Sequence, residues 1–305
     1  MGSMLTLYHG SNVIVKNPQV LTNGFYKDFG YGFYCTNLEK QAQRWALTKR
    51  NKHVVNIYSY EPDSTLNILK FATMTDEWLE FVVACRRGIE HHYDIVEGPM
   101  ADDTIWDYIE SYVDGSILGV GEIQISHSPD CLLYRACSGN AAVCKELCIM
   151  TNLYFPDEEI TKNDLYFMCY MVERVARKLK QHNAYVVNTI GEAELRHLIS
   201  VANVLHSVNP MQVEADWITE YNLQQGTFDI TAVDKNLCEQ IPAATAMGKV
   251  YMRLILATLQ PDEDYVQGMR RVYNNPICEV IDNYNASAYY EPSYVIARAY
   301  NDGGF

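Results

Sequence analysis

The residues best suited to chemistry lie near the start of the chain and combine a histidine with two aromatic rings. His9 follows a short apolar, strand-like stretch and enters a turn through Gly10. Residues 29–34 form a second strand-like stretch, punctuated by glycines, that presents Tyr34, and a helix predicted behind it carries Trp45. Each residue alone is also typical of a turn or a core. Together they suit a flat heteroaromatic ligand, held by stacking and a few hydrogen bonds.

The order of these residues resembles a known pair of motifs. His9-Gly10-Ser11, followed by the glycine-punctuated stretch that ends in Tyr34, resembles the His-Gly-Ser/Thr and Gly-x-Gly-x-Tyr signatures of the ADP-ribosyltransferase superfamily, on its diphtheria-toxin and poly(ADP-ribose) polymerase-like branch. In that family a second aromatic residue commonly follows eleven positions after the motif tyrosine, where this chain has Trp45. The wider stretch, residues 5–135, is similar to a bacterial family of uncharacterised domains in the same superfamily.

The resemblance implies that the ligand is NAD and gives each of these residues a role. His9 would contact the adenosine-side ribose, with Ser11 as a further ribose contact. The Gly10 backbone would hold the nicotinamide amide, and Tyr34 and Trp45 would enclose the nicotinamide ring. No metal is implied.

The third element of the family's triad is usually a glutamate on a late strand, which stabilises positive charge as the glycosidic bond breaks. The candidates here are Glu122 and Gln124, on one face of a predicted strand. Gln124 fits the bacterial relatives better and Glu122 carries charge, so both stay open. A glutamine cannot act as a base, which would favour single ADP-ribose transfer over chain growth. The serine that the family often places three residues before the second aromatic is Ala42 here. Its hydrogen bond is therefore absent or made by another group.

Composition limits the partners. The net charge of −14 would repel phosphate backbones and anionic lipid, so nucleic acid is not expected as a general partner, although it stays open as an acceptor. We expect no membrane partner and a cytoplasmic protein, since no apolar run spans a bilayer and no leader is evident. Among nine cysteines, four lie close together without the spacing of a zinc knuckle, which favours reduced thiols over a metal site. The four are Cys131, Cys137, Cys144 and Cys148, and the last two are predicted to share a helix face.

The chain changes from mixed strands and helices to mostly helical near residue 138. We predict an α+β fold in which an ADP-ribosyltransferase-like split pair of small sheets is followed by a mostly α-helical C-terminal half. The predicted domains are residues 4–136, ADP-ribosyltransferase-like and NAD-binding; residues 137–230, helical and partner-like; and residues 231–305, C-terminal and helical. Thr36 is predicted to cap the helix that carries Trp45, and Asn163 to cap a long helix in the second domain.

These features predict a mono-ADP-ribosyltransferase that uses NAD to modify a protein or nucleic-acid acceptor. The helical part is similar to a small domain commonly encoded beside bacterial transferase-like proteins, which suggests a toxin-antitoxin-like arrangement in which the helical half restrains the enzyme or recruits its target. The alternative is a non-catalytic NAD-binding or interaction protein that acts through the helical half. Ala42 and the open choice between Glu122 and Gln124 support that alternative.

Overall fold

The computed structural model describes residues 4–22, 26–50, 52–61, 65–101, 133–136, 144–149, 160–261 and 263–305. The chain divides into two compact units. The first comprises Met1–Pro156 and Asn203–Gln212, and the second comprises Asp157–Ala202 and Val213–Phe305. Asn203–Gln212 therefore belongs to the first unit although it lies far along the chain. The predicted domain boundaries at residues 136 and 230 stay predictions.

The described strands of the first unit form one sheet in which two neighbouring strands are paired only briefly. The strands are β1 (Leu5–Ser11), β2 (Phe33–Thr36), β3 (Val54–Tyr60), β4 (Ile68–Lys70), β5 (Ile95–Gly98), β6 (Leu133–Ala136) and β7 (Cys144–Ile149). Their order is β4-β5-β6-β2-β1-β3-β7, and β4 and β5 are parallel whereas the other neighbours are antiparallel. β1 pairs with β3 along its whole length. Within the described residues it shares a single residue pair with β2, in which Tyr8 lies opposite Thr36. The sheet therefore has two halves, which meet at that pair.

Each half of the sheet has its own helix. α1 (Glu39–Leu47) packs the small side chains of Ala42 and Ala46 against β3. α2 (Asp76–Arg86) packs Trp78 into a separate apolar cluster that includes β5. Alanines bring α1 close to the strands beneath it, whereas the bulky cluster under α2 forms the larger core.

The predicted cap of α1 is wrong. Thr36 lies in β2, and α1 begins after Leu38 without a side-chain cap. The Thr36 hydroxyl instead accepts a hydrogen bond from the backbone N–H of Leu38 at 3.1 Å, which turns the chain between the strand and the helix.

A buried ion pair ties the segment before β2 to α2. Arg86 donates from Nε and Nη2 to Oδ1 of Asp28 at 2.8 and 2.6 Å, and the two side chains are only 2% and 4% exposed. The other carboxylate oxygen accepts from the backbone N–H of Ala101 at 3.1 Å. Two charges are tolerated in the interior because each has a partner and the carboxylate has a backbone donor as well.

The described residues between 160 and 305 are mostly helical. The helices are α3 (Lys162–Leu179), α4 (Asn183–Ile190), α5 (Glu192–Ser200), α6 (Ala202–Leu205), α7 (Pro210–Glu220), α8 (Ala244–Thr258), α9 (Tyr265–Tyr273), α10 (Ile277–Ile281) and α11 (Ser293–Asp302), with short 3₁₀ turns at Tyr284–Ala286 and Ala288–Tyr290. The α+β fold, with small strands in the N-terminal part and a helical C-terminal half, is thus confirmed. No helix of the described residues has both the length and the apolar character needed to cross a bilayer.

The second unit is organised around α3. This helix is buried on all sides between Asp164 and Glu173, as expected for a central helix. Its cap is Thr161 rather than the predicted Asn163: the Thr161 hydroxyl accepts from the Asn163 backbone N–H, and Asp164 accepts from the Thr161 N–H in return. α8 lies directly against it at Gly248, where a Cβ would approach the Tyr170 backbone to 2.9 Å.

The interior of the second unit contains two carboxylates that share one amide. Asn183 donates from Nδ2 to Glu173 at 2.8 Å and to Asp282 at 3.2 Å. Arg177 pairs with Glu173 at 2.6 Å, whereas Asp282 accepts from the Tyr251 hydroxyl. Burial, followed by the charge of Glu173, raises the pKa of Asp282 well above its usual range. The raised pKa favours the neutral form of Asp282, which lessens its repulsion with Glu173.

We expect the replacement Asp28→Ala to lower the free energy of unfolding of the first unit by about 3–5 kcal/mol, since Arg86 would remain buried without its counter-charge. Amide hydrogen exchange, measured by mass spectrometry on peptides of the first unit, reports that loss separately from the second unit.

Lys70→Ala is the matched control. It removes an ion pair whose lysine is 63% exposed and should cost under about 1 kcal/mol. The double replacement Asp28→Leu with Arg86→Met should recover most of the loss. Equal effects of Asp28→Ala and Lys70→Ala would contradict a structural role for the buried pair.

Candidate functional site

The candidate site lies where β1 and β2 diverge. Beyond the pair of Tyr8 and Thr36, a side chain bridges the strands: Nδ1 of His9 lies 2.7 Å from the carbonyl oxygen of Tyr34. Because a carbonyl oxygen can only accept, Nδ1 carries the proton. In the neutral ring, Nε2 is then a hydrogen-bond acceptor.

The surroundings of His9 keep its ring neutral. Burial lowers the pKa of His9 from 6.5 to about 4, the hydrogen bond to the Tyr34 carbonyl opposes that shift, and the charges of Lys27 and Lys49 add to it. At neutral pH the ring is therefore a fixed donor to Tyr34 and a fixed acceptor at Nε2. This arrangement suits recognition of a hydroxyl group better than proton transfer at pH 7.

Tyr34 is anchored at its hydroxyl as well as at its backbone. The hydroxyl donates to the carbonyl oxygen of Gly30 at 2.7 Å and accepts from the N–H of Phe29 at 3.1 Å. Gly30 has φ of +75°, so a glycine is needed for this turn. The ammonium of Lys27 lies 4.9 Å from the centroid of the Tyr34 ring, so that one ring face attracts a cation.

Gly10 permits β1 to touch α1. A Cβ at this position would lie 2.1 Å from the carbonyl oxygen of Ala42 and 2.7 Å from the backbone nitrogen of Ala46. The glycine of the His-Gly-Ser motif is thus required by packing, whatever the backbone also binds. The same contact brings Trp45, on the same helix, to the strand that carries His9.

A buried amide fixes the chain that follows the motif. Asn56 lies opposite His9 in the register of β1 with β3. Its Oδ1 accepts from the N–H of Val15 at 2.8 Å, and its Nδ2 donates to the carbonyl of Val13 at 3.2 Å. Ser11 accepts from the Val13 N–H at 3.3 Å. The hydroxyl of Ser11 is therefore held at the end of β1, next to His9 and Gly10.

A cavity of about 200 Å³ opens between these elements, and all of its lining belongs to the first unit. β1 contributes residues 8–11, β2 contributes residues 34–36, and α1 contributes Gln41, Ala42 and Trp45. The remaining lining residues are Lys27, Asp28, Lys49, Met100, Ser207 and Val208. The cavity is smaller than the roughly 300–1,000 Å³ of pockets that enclose a drug-sized ligand. It therefore has room for one ring with its adjoining group rather than for a whole dinucleotide.

The described lining is positively charged although the chain as a whole is acidic. Its charged residues are Lys27, Lys49 and Asp28, and the charge of Asp28 is balanced by Arg86. Both lysines line the cavity, and their charges contribute to the lowered pKa of His9. The arrangement favours a ligand that carries negative charge next to an aromatic group.

The structure brings together five of the predicted site residues. His9, Gly10, Ser11, Tyr34 and Trp45 line the same cavity. Glu122 and Gln124 lie outside the described residues, as do Cys131 and Cys137.

Sequence reasoning missed further lining residues, among them Lys27, Lys49, Ser207 and Val208. No motif marks Lys27 or Lys49, and nothing near Ser207 or Val208 points to a site in a distant part of the chain. Lys49 follows the end of α1, so its spacing from Trp45 gave no helical signal.

The cysteine prediction needs a correction. Cys144 and Cys148 lie on the strand β7, not on a helix, because the chain pairs with β3 there. Within the described part of the chain, no three histidine, cysteine, aspartate or glutamate side chains are grouped so that they could hold a metal ion.

We predict that the His9 ring titrates with a midpoint at about pH 4. The unfolded chain takes up this proton at its ordinary pKa of 6.5. The stability that neutral His9 contributes is therefore complete above pH 6.5 and is lost as the pH falls from there toward 4. NMR of the imidazole protons measures the midpoint, and the variant His9→Gln identifies the signal. A midpoint at about pH 6.5 would contradict the assigned burial and tautomer.

We also predict that Gly10→Ala destabilises the first unit by about 3 kcal/mol or more, because α1 has to move away from β1. Chemical unfolding followed by hydrogen exchange of peptides from β1 and α1 measures the loss. Gly304→Ala is the control, since a Cβ there meets nothing within 4 Å. Equal stability of the two variants would show that the close approach at Gly10 is absent.

Comparison with known proteins adds one finding. Residues 5–124 match a family described as a protein of unknown function, DUF3990. No curated protein and no solved structure matches the chain. The matched range contains every predicted site residue, from His9 to Gln124, and it does not contain Ser207 and Val208 of the cavity.

Proposed function

We propose that the protein is a mono-ADP-ribosyltransferase that uses NAD as its substrate, with an N-terminal unit of the ADP-ribosyltransferase type. The observation that carries the proposal is the neutral His9 ring, held by the Tyr34 carbonyl, in a cavity that also contains Gly10, Tyr34 and Trp45. This combination supplies an acceptor nitrogen, backbone groups and two aromatic rings to one small volume.

The residues of the cavity fit the chemistry of NAD. Nε2 of His9 would accept from a hydroxyl of the adenosine-side ribose, and Ser11 would make a further ribose contact. The backbone of Gly10 would hold the nicotinamide amide, between the rings of Tyr34 and Trp45. The volume of about 200 Å³ suits the nicotinamide end, with the rest of the dinucleotide extending outside.

The lysines of the cavity support an anionic, pyridinium-bearing substrate. The Lys27 ammonium above Tyr34 marks a ring face that favours a cation, and the nicotinamide ring of NAD is itself cationic. Lys27, which lines the cavity, would supply a positive charge for the diphosphate. Lys49, which also lines the cavity, supplies a second charge for the same group.

The reaction would be a dissociative transfer. The bond between the nicotinamide nitrogen and C1′ of the ribose breaks, and nicotinamide leaves as a neutral molecule with the bonding electron pair. An oxygen or nitrogen of the acceptor, or water, then bonds C1′ and loses a proton to solvent. Gln124 or Glu122 would hold the 2′-hydroxyl of that ribose while its positive charge develops. With Gln124 in this role the expected product is a single ADP-ribose.

The acceptor is a protein or nucleic-acid group, and the activity is toxin-like, restrained by the helical half of the chain. Cytoplasmic location stays part of this proposal. A second candidate, an NAD-binding protein without transfer activity, is favoured by Ala42. The side chain there is buried and has no hydroxyl to offer the nicotinamide amide.

The test is incubation of the full chain with labelled NAD and cell lysate. We expect the unmodified protein to give labelled product and to release nicotinamide. Whichever of Gln124→Ala and Glu122→Ala removes the charge-stabilising group should lower turnover about 100-fold. His9→Ala should bind NAD about tenfold more weakly. His92→Ala, a change at an exposed histidine, is the control.

The outcomes separate the two candidates. NAD binding by calorimetry without any nicotinamide release would support the non-catalytic protein. Absence of both binding and release would refute both. Unchanged turnover in both strand variants would remove Gln124 and Glu122 from the mechanism.

A further inference from the structure

We infer that Ser207 and Val208 are specificity-determining residues that limit the size of the aromatic group the cavity accepts, and that Asn209 positions them. This inference rests on the proposed function, because it concerns the same cavity. It adds a wall that lies outside the range matched by the family and is supplied by Asn203–Gln212.

The segment Asn203–Gln212 is firmly packed in the first unit. Val204, Leu205, His206, Ser207 and Val208 are all at most 9% exposed. Burial also lowers the pKa of His206 to about 3, so that its ring is neutral at any pH at which the protein is used. A segment with five consecutive buried residues behaves as part of a core rather than as a surface loop.

The two side chains of this wall leave no unused hydrogen-bond donor for a ligand. The hydroxyl of Ser207 donates to the carbonyl oxygen of Val204 at 2.6 Å and is thereby engaged within the segment. The side chain of Val208 has no polar atom. Val208 therefore offers the ligand shape rather than hydrogen bonds, and its effect on binding is one of volume.

Asn209 fixes the position of this wall in two ways at once. It is the residue before Pro210, the first residue of α7, and its Oδ1 accepts from the backbone N–H of Met211 at 2.9 Å, as in a helix N-cap. The cap sets the rotamer of the side chain. Its Nδ2 then donates to the carbonyl oxygen of Tyr26 at 2.8 Å, one residue before Lys27 of the cavity.

The volume of the cavity makes such a wall consequential. The cavity is small, at about 200 Å³, so the position of each wall limits the size of the group that fits. In an apolar pocket a single methylene changes affinity by roughly tenfold or more. Val208 lines the cavity and has an apolar, branched side chain, so it is the residue of the wall best suited to exert that effect.

The experiment compares two probes by calorimetry on the full chain: nicotinamide, which has one ring, and isoquinolin-1-one, which carries a cyclic amide on two fused rings. We expect the unmodified protein to prefer nicotinamide. Val208→Ala should shift the ratio of affinities toward the two-ring probe by about tenfold or more, and Val208→Phe should weaken both probes. Met211→Ala, in the same segment but 48% exposed and away from the cavity, is the matched control and should leave the ratio unchanged.

The role of Asn209 is tested with two substitutions at that position. Asn209→Asp keeps an oxygen for the Met211 N–H but removes the donor to Tyr26, whereas Asn209→Ala removes both. Both should speed amide exchange in residues 26–34 and reduce the preference for the one-ring probe. Unchanged exchange and preference in both would overturn the positioning role.

The inference and the proposed function fail in different ways. Suppose that nicotinamide binds, but that the ratio of the affinities for the two probes is the same in the unmodified protein and in both Val208 variants. That result would overturn the inference and leave the proposed function standing. Absence of binding of nicotinamide, of the two-ring probe and of NAD to every correctly folded variant would overturn both.

Discussion

The hydrogen bond from His9 to the Tyr34 carbonyl is the contact on which the site depends. β1 and β2 belong to different halves of the sheet and share the pairing of Tyr8 with Thr36, so a backbone ladder does not continue to hold them beyond it. The imidazole spans the gap at 2.7 Å. It joins the halves, fixes its own tautomer and leaves space beside it, because a side-chain bridge is wider than a direct strand pairing. Cavity, ring orientation and acceptor nitrogen are thus consequences of one divergence in the sheet.

That divergence is stable because rigid contacts fix the strands on either side. On the β1 side, Gly10 lets α1 approach the backbone directly, and Asn56 holds the chain that leaves the strand. On the β2 side, the Tyr34 hydroxyl closes the turn at Gly30, and the buried pair of Asp28 and Arg86 ties the preceding segment to α2. The ion pair also decides the charge of the cavity. With Asp28 balanced, the described lining keeps the positive charge of its lysines inside a protein whose net charge is −14. Net charge therefore describes the surface as a whole and is a poor guide to a site of this size.

Local patterns in the sequence predicted the part of the site that local patterns control. His9, Gly10, Tyr34 and Trp45 were found because a strand, a glycine-rich turn and a helix follow one another in the first fifty residues. The cap of α1 was predicted wrongly because a threonine suits both the end of a strand and the cap of a helix. Pairing of β2 with β1 and β6 places Thr36 in the strand. The cysteines on β7 were assigned to a helix for a similar reason: a spacing of four residues shares a face in either structure, and pairing with β3 is a tertiary fact. Val208 reaches the cavity through folding of a distant segment, which no pattern within a single window contains.

The segment Asn203–Gln212 shows how a compact unit can differ from a stretch of sequence. Its residues follow one another in a series of helices, yet they belong to the first unit and line its cavity. The reason lies in the side chain of Asn209. Its Oδ1 accepts from the backbone N–H of Met211 at the start of α7, and its Nδ2 donates to the carbonyl oxygen of Tyr26. The two hydrogen bonds are mutually supporting, because the cap holds the amide in the orientation that the carbonyl requires. Loss of the first turn of α7 would therefore free the amide, and with it the wall beside Lys27. In a cavity of about 200 Å³, that coupling makes the start of a distant helix part of what decides which ligand fits.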